Sequence, residues 1–187
     1  MSILQQLDIE NRDIIIALPY RVGLWMSHID DIGGEDADDE EMQALESLMD
    51  GFTREVFGSE VVQIIMTENL KRKSEWRGAW SKNLDKVPDE CQRALDVLRD
   101  AGVEVKEISA YKQRLIEIAE AVALAFREYD QLSFMNKLRV YLLFYKERYK
   151  ALKKGMSYKS LDQFLNISLV ERKALYKLSH ILNVPYA

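Results

Sequence analysis

Cysteine, histidine, proline and glycine are all scarce in this chain, and each scarcity removes a class of answer. A single cysteine, Cys91, in 187 residues admits no intramolecular disulfide and no thiolate cluster for a metal. That usage fits a reducing, cytoplasmic setting. Reactive thiols need electropositive, accessible surroundings, whereas Cys91 falls in an amphipathic stretch and reads as a buried structural thiol. The two histidines, His28 and His180, form neither a Glu-x-x-His nor a His-Glu-x-x-His pattern, so di-iron and zincin chemistry lack their usual ligands. Gly-x-Ser-x-Gly, Walker and Gly-x-Gly-x-x-Gly signatures are missing too, and the expectation is a protein that is not an enzyme. The longest apolar runs, 14–19 and 140–145, are too short to span a bilayer. The first ten residues carry Asp8 and Glu10 with no basic stretch, so no secretory signal is expected.

With 3 prolines and 8 glycines, and no strand alternation or hairpin turn, the chain reads as all-α. The expectation is a single helical-bundle domain over 1–187, with about seven or eight helices and a long central connection. Halves at 12–70 and 106–184 would be weakly related, around an inserted segment at 71–104. A helix over 12–29 contains Pro19, which either starts it or kinks it. Met42, Leu45, Met49, Phe52 and Val56 mark the next helix, with Asp38 as its N-cap and Glu41 three residues on. Ser59 caps a helix over 60–70. Pro88, Asp89 and Glu90 open another that ends at Gly102.

Two longer stripes follow. Ile108, Tyr111, Leu115, Ile118, Val122, Ala125 and Tyr129 form one, and Met135, Leu138, Leu142, Tyr145, Tyr149 and Leu152 the other. A short helix is expected around 160–165. Ser168 and Glu171 make a capping box for a last helix over 169–182.

What the chain has in excess is segregated charge. Residues 1–60 hold 15 acids against 3 bases, 61–130 hold 13 against 12, and 131–187 hold 3 against 11, under a net charge of −5. Eight of the twelve residues 30–41 are acidic. Such density requires water, a cation or a basic partner to offset repulsion, so this loop is a solvated segment, a divalent-cation site or a docking point. An EF-hand is excluded, because Ile32, Gly34 and Glu35 stand where that motif needs oxygen ligands and a glycine. His28, beside Asp30 and Asp31, is a helix C-terminal histidine or a transition-metal ligand.

The counterpart is the basic, tyrosine-bearing run with Lys146, Arg148, Lys150, Lys153 and Lys154. It is a solvated face, or it meets a protein partner, an anionic membrane surface or nucleic acid. A pI near 5.2 argues against a dedicated nucleic-acid binder. Trp76 and Trp80, four apart, cover a core edge or anchor a partner helix.

The run Gly23-Leu24-Trp25-Met26-Ser27-His28-Ile29-Asp30-Asp31, then Glu40-Glu41 and a striped helix, resembles the tellurite-resistance TerB-like family. The C-terminal Ile167-Ser168-Leu169-Val170-Glu171 and Leu178–Val184 stretches are similar to that family's closing helix. The resemblance implies an all-helical, stress-associated interaction module with two related halves and metal-binding acidic residues. It points to Asp30, Asp31 and Glu41, with Asp130 and Glu171 as partners, for calcium, manganese or zinc. Here the first loop is longer than the family's.

Overall fold

The computed structural model describes Leu4 and residues 6–29, 39–55, 58–125, 151 and 167–184. Every regular element among them is helical: α1 Ile9–Ser27, α2 Asp39–Arg54, α3 Glu60–Lys71, α4 Lys73–Trp76, a 3-10 turn Leu84–Lys86, α5 Val87–Asp100, α6 Val105–Ala125 and α7 Leu169–Leu182. The all-α expectation holds. No described helix is long and apolar enough to cross a membrane. The stripe at 135–152 and the short helix near 160 lie outside the described residues, except that Ala151 is helical and buried.

α1 is the axis of the bundle. Asp8 caps it by accepting from the Asn11 N–H at 2.9 Å, so the helix starts well before Pro19. Every residue from Ile15 to Met26 is buried, because α2, α3, α5 and α6 pack around this helix on all sides. An all-round apolar helix is the sequence form of that position.

Pro19 lies inside α1, where it removes the N–H that would bond the Ile15 carbonyl. The Tyr111 hydroxyl from α6 donates to that carbonyl at 2.8 Å. The neighbouring Ile16 carbonyl accepts from Asn69 Nδ2 of α3 at 2.6 Å. The carbonyl left open by Pro19 thus becomes a polar pin for α6, and the Ile16 carbonyl gives a second pin, to α3.

α6 runs parallel to α1. Tyr111 meets Ile15, and further along a Cβ on Gly23 would reach Ile118 and Val122. Its expected stripe is the buried one: Ile108, Tyr111, Leu115, Ile118 and Val122 all lie in the core. α5 runs antiparallel, its C-terminal Val97 and Ala101 meeting Leu7 and Asn11 at the start of α1. The segment 71–104, expected as an insertion, supplies Trp76, Val87, Cys91, Ala94, Leu95 and Leu98 to the same core.

Local caps finish the elements. Ser59 accepts from the Val62 N–H at 3.1 Å. Gly102, at φ +71°, turns the chain out of α5 in the left-handed region, where glycine carries no steric penalty. Ser168 and Glu171 form the reciprocal capping box on α7.

Candidate functional site

Most residues expected to form a site lie outside the described set: Asp30, Asp31, Asp130, Lys146, Arg148, Lys150, Lys153 and Lys154. Glu41 belongs to the first turn of α2, and its side chain is outside the set as well. Glu171 is buried and accepts from the Ser168 N–H at 2.7 Å, which gives it a capping function. Among the described residues no group of three or more His, Cys, Asp or Glu side chains is placed to hold an ion.

Trp76 and Trp80 are 0% and 6% exposed. Trp76 stacks on Tyr20 with ring centroids 4.7 Å apart, and its Nε1–H donates to the Asn69 carbonyl at 3.2 Å. At that depth neither ring reaches a partner, and the anchoring expectation gives way to core packing. Cys91 is fully buried, and burial pushes its thiol well above the ordinary 9.0, with Glu90 adding to the effect. It is held as a neutral thiol.

His28 closes α1. Its Nδ1 lies 2.8 Å from the Leu24 carbonyl, so Nδ1 is the donor in that contact, and in the neutral ring Nε2 is then the nitrogen with a lone pair. This is the arrangement in which a ligating histidine is oriented by a backbone carbonyl, and equally an ordinary helix C-terminal contact.

Pattern reasoning missed a buried guanidinium and a shared carboxylate. Arg21 sits on the apolar face sequence of α1, yet its Nε–H donates to Glu90 Oε2 at 2.8 Å. Its Nη2 donates to Glu90 Oε1 at 3.1 Å and to the Asn83 carbonyl at 3.2 Å. Nη1 serves the carbonyls of Trp80 at 2.7 Å and Lys82 at 2.9 Å. All five donors of the fork are engaged, so Arg21 fixes the 80–83 turn onto α1. A lone arginine in an apolar run was the only signal.

Glu107, in the first turn of α6, caps a different helix. Its Oε2 accepts from Ser59 Oγ at 2.5 Å and from the Val61 N–H at 3.1 Å. The Ser59 hydroxyl does most to lower its pKa below the ordinary 4.5, burial opposes, and the Val61 N–H and Lys106 add to the lowering. Beside it, Glu60, Glu104, Lys106, Val61 and Val103 complete an open groove of 250 Å³. A second groove, of 310 Å³, is lined by Leu7, Val97 and Ala101 together with Asp8, Asn11 and Asp100. Both linings mix aliphatic and acidic side chains.

No family model matches the chain, and neither the curated proteins nor the solved structures give a match.

Proposed function

We propose that the protein is a non-enzymatic, TerB-like interaction module, stress-associated by that resemblance, which docks other macromolecules through segregated acidic and basic faces. The segregation of charge along the chain, from 15 acids against 3 bases in residues 1–60 to 3 against 11 in residues 131–187, carries this reading. The described carboxylates with shifted ionisation support the non-enzymatic part. Asp8, Glu46 and Glu107 are all lowered, which keeps them charged acceptors in caps and ion pairs. A general acid near neutrality needs the opposite shift. Co-sedimentation with liposomes rich in phosphatidylserine tests the basic face. Pelleting lost on changing Lys153 and Lys154 to Glu assigns it to a membrane, and unchanged pelleting removes that assignment.

A second reading adds a divalent cation at the acidic segment 30–41, held by Asp30, Asp31 and Glu41. The His28 Nδ1 contact to the Leu24 carbonyl favours it, because it turns Nε2 into an acceptor just before those aspartates. Calorimetric titration with calcium, and separately with manganese or zinc, checks this. Saturable heat that vanishes when Asp30 and Asp31 become Asn supports the site, and no heat at millimolar metal sinks it.

A further inference from the structure

α1 is sealed into the bundle by apolar contact, every residue from Ile15 to Met26 being buried. α2 is attached in a different way. Of its described side chains only Leu45 and Met49 are buried, while Met42, Leu48 and Phe52 are half-covered against the core. The other attachments of α2 are polar and come from three neighbours. Glu46 Oε2 pairs with Lys73 Nζ at 3.1 Å, and Glu46 Oε1 accepts from Arg77 Nε at 2.7 Å. Near the C-terminal end the Thr53 carbonyl accepts from Gln63 Nε2 of α3 at 3.0 Å. Glu55 accepts from Arg114 Nη1 of α6 at 2.8 Å, and that guanidinium lies 4.9 Å from the Phe52 ring. A helix with so little apolar anchorage belongs to the low-stability end of a fold.

The Glu46 clamp closes beside the aromatic stack. Lys73 Nζ is 5.4 Å from the Trp76 ring, and Trp76 stacks on Tyr20. Tyr20 stands three residues before Gly23, on the face of α1 that Leu45 meets. Tyr20 is fully buried, yet its hydroxyl has no hydrogen-bond partner among the described residues. Burial, then the Glu46 charge, raises the pKa of this hydroxyl, and Arg77 opposes, which places it at the clamp. An unpaired buried hydroxyl carries a desolvation cost that water would remove.

We propose that α2 is a latch, opening as one unit while α1, α3, α5 and α6 stay packed. Glu46 holds it shut through Lys73 and Arg77, and hydration of the Tyr20 hydroxyl favours the open form.

Native-state amide exchange of the full chain at low urea concentrations, followed by nuclear magnetic resonance, tests the latch. Amides 45–52 are expected to share one opening free energy, with protection at least about tenfold below that of the slowest amides of α1 and α5. Glu46→Gln weakens contacts that the open and the unfolded chain both lack, so protection should fall about tenfold in α2 and in α5 alike. Tyr20→Phe should raise protection in α2 at least about fivefold. Cys91→Ala alters the part that stays packed, so it should lower protection in α5 and leave α2 unchanged. Helical circular dichroism and melting confirm that each variant is folded.

Equal loss of protection in α2 and α5 on Cys91→Ala would mean that α2 opens only with the whole fold, and would overturn the proposal. A single exchange free energy common to α1, α2 and α5 would do the same. So would unchanged protection of α2 in Glu46→Gln, which removes the clamp, or in Tyr20→Phe, which removes the hydroxyl.

Discussion

Pro19 interrupts the hydrogen-bond ladder of α1, and the Tyr111 hydroxyl compensates for it. Tyr111→Phe keeps the ring in the core and strands the Ile15 carbonyl in a buried setting. The expected loss is about 1–3 kcal/mol, read from urea midpoints. Pro19→Ala restores the missing N–H, so in that background Tyr111→Phe should cost markedly less, and a double-mutant cycle measures the coupling. Equal cost in both backgrounds would break the link between proline and tyrosine. Arg21 has larger consequences. Replacing it with Met takes the donors from Glu90 and from the Trp80 and Lys82 carbonyls, while the Asn83 carbonyl keeps the Lys86 N–H, and breaking such a buried pair costs about 3–5 kcal/mol. Neither role was legible in the sequence, because the partners stand far away along the chain and no spacing rule connects them. The caps at Ser59 and at Ser168 with Glu171 were legible, since a cap is decided within four residues.

Among the elements, the close approach of α2 to α1 turns on Gly23. A Cβ at this position would lie 2.6 Å from Leu45 Cδ1 and 3.3 Å from Ile118 Cγ2. Leu45 is itself buried at 1% exposure, so its methyl has little room to retreat. Gly23→Ala gains about 0.5–1 kcal/mol of helix propensity and meets an overpacking cost of about 1–3 kcal/mol. Net destabilisation is expected, with Gly23→Val worse than Ala. Leu45→Ala, which alone costs about 2–5 kcal/mol at so buried a site, should cost less in the Gly23→Ala background because it also relieves the clash, and thermal melting of the single and double variants checks it. The stripes of α2 and α6 revealed these helices from their spacing alone. Their arrangement around α1 was hidden, because an all-round apolar helix does not indicate which neighbour takes which face. The same limit applied to the grooves, which are assembled from residues 6–11, 60–61 and 97–107 and share no motif.

At the scale of the whole molecule, the ionisable groups bound a window of stability on both sides. Glu46 illustrates the acid flank: burial raises its pKa, but hydrogen bonds from Arg77 and Lys73 outweigh that and hold it below the ordinary 4.5. Asp8, lowered chiefly by the Asn11 N–H from 3.8, and Glu107, lowered from 4.5, behave alike. Groups lowered in the fold contribute stability above their unfolded values, and lose it as pH falls through the folded ones. Stability should therefore decline below pH 4.5.

On the alkaline side burial raises Cys91 from 9.0, and Tyr20 and Tyr111 from 10.0. These acids stay neutral in the fold while the unfolded chain ionises, so their contribution is complete below those ordinary values and drains away above them. The thiol acts first. Between pH 9 and 10 the unfolding free energy should fall at a slope approaching about 1.4 kcal/mol per pH unit, the value for one ionisation. Cys91→Ala removes that ionisation, and its stability, though lower throughout, should stay nearly flat until the tyrosines begin to titrate at pH 10. Urea midpoints taken across this interval decide the matter, since parallel curves for the two proteins would mean that Cys91 is not the group that sets the alkaline edge.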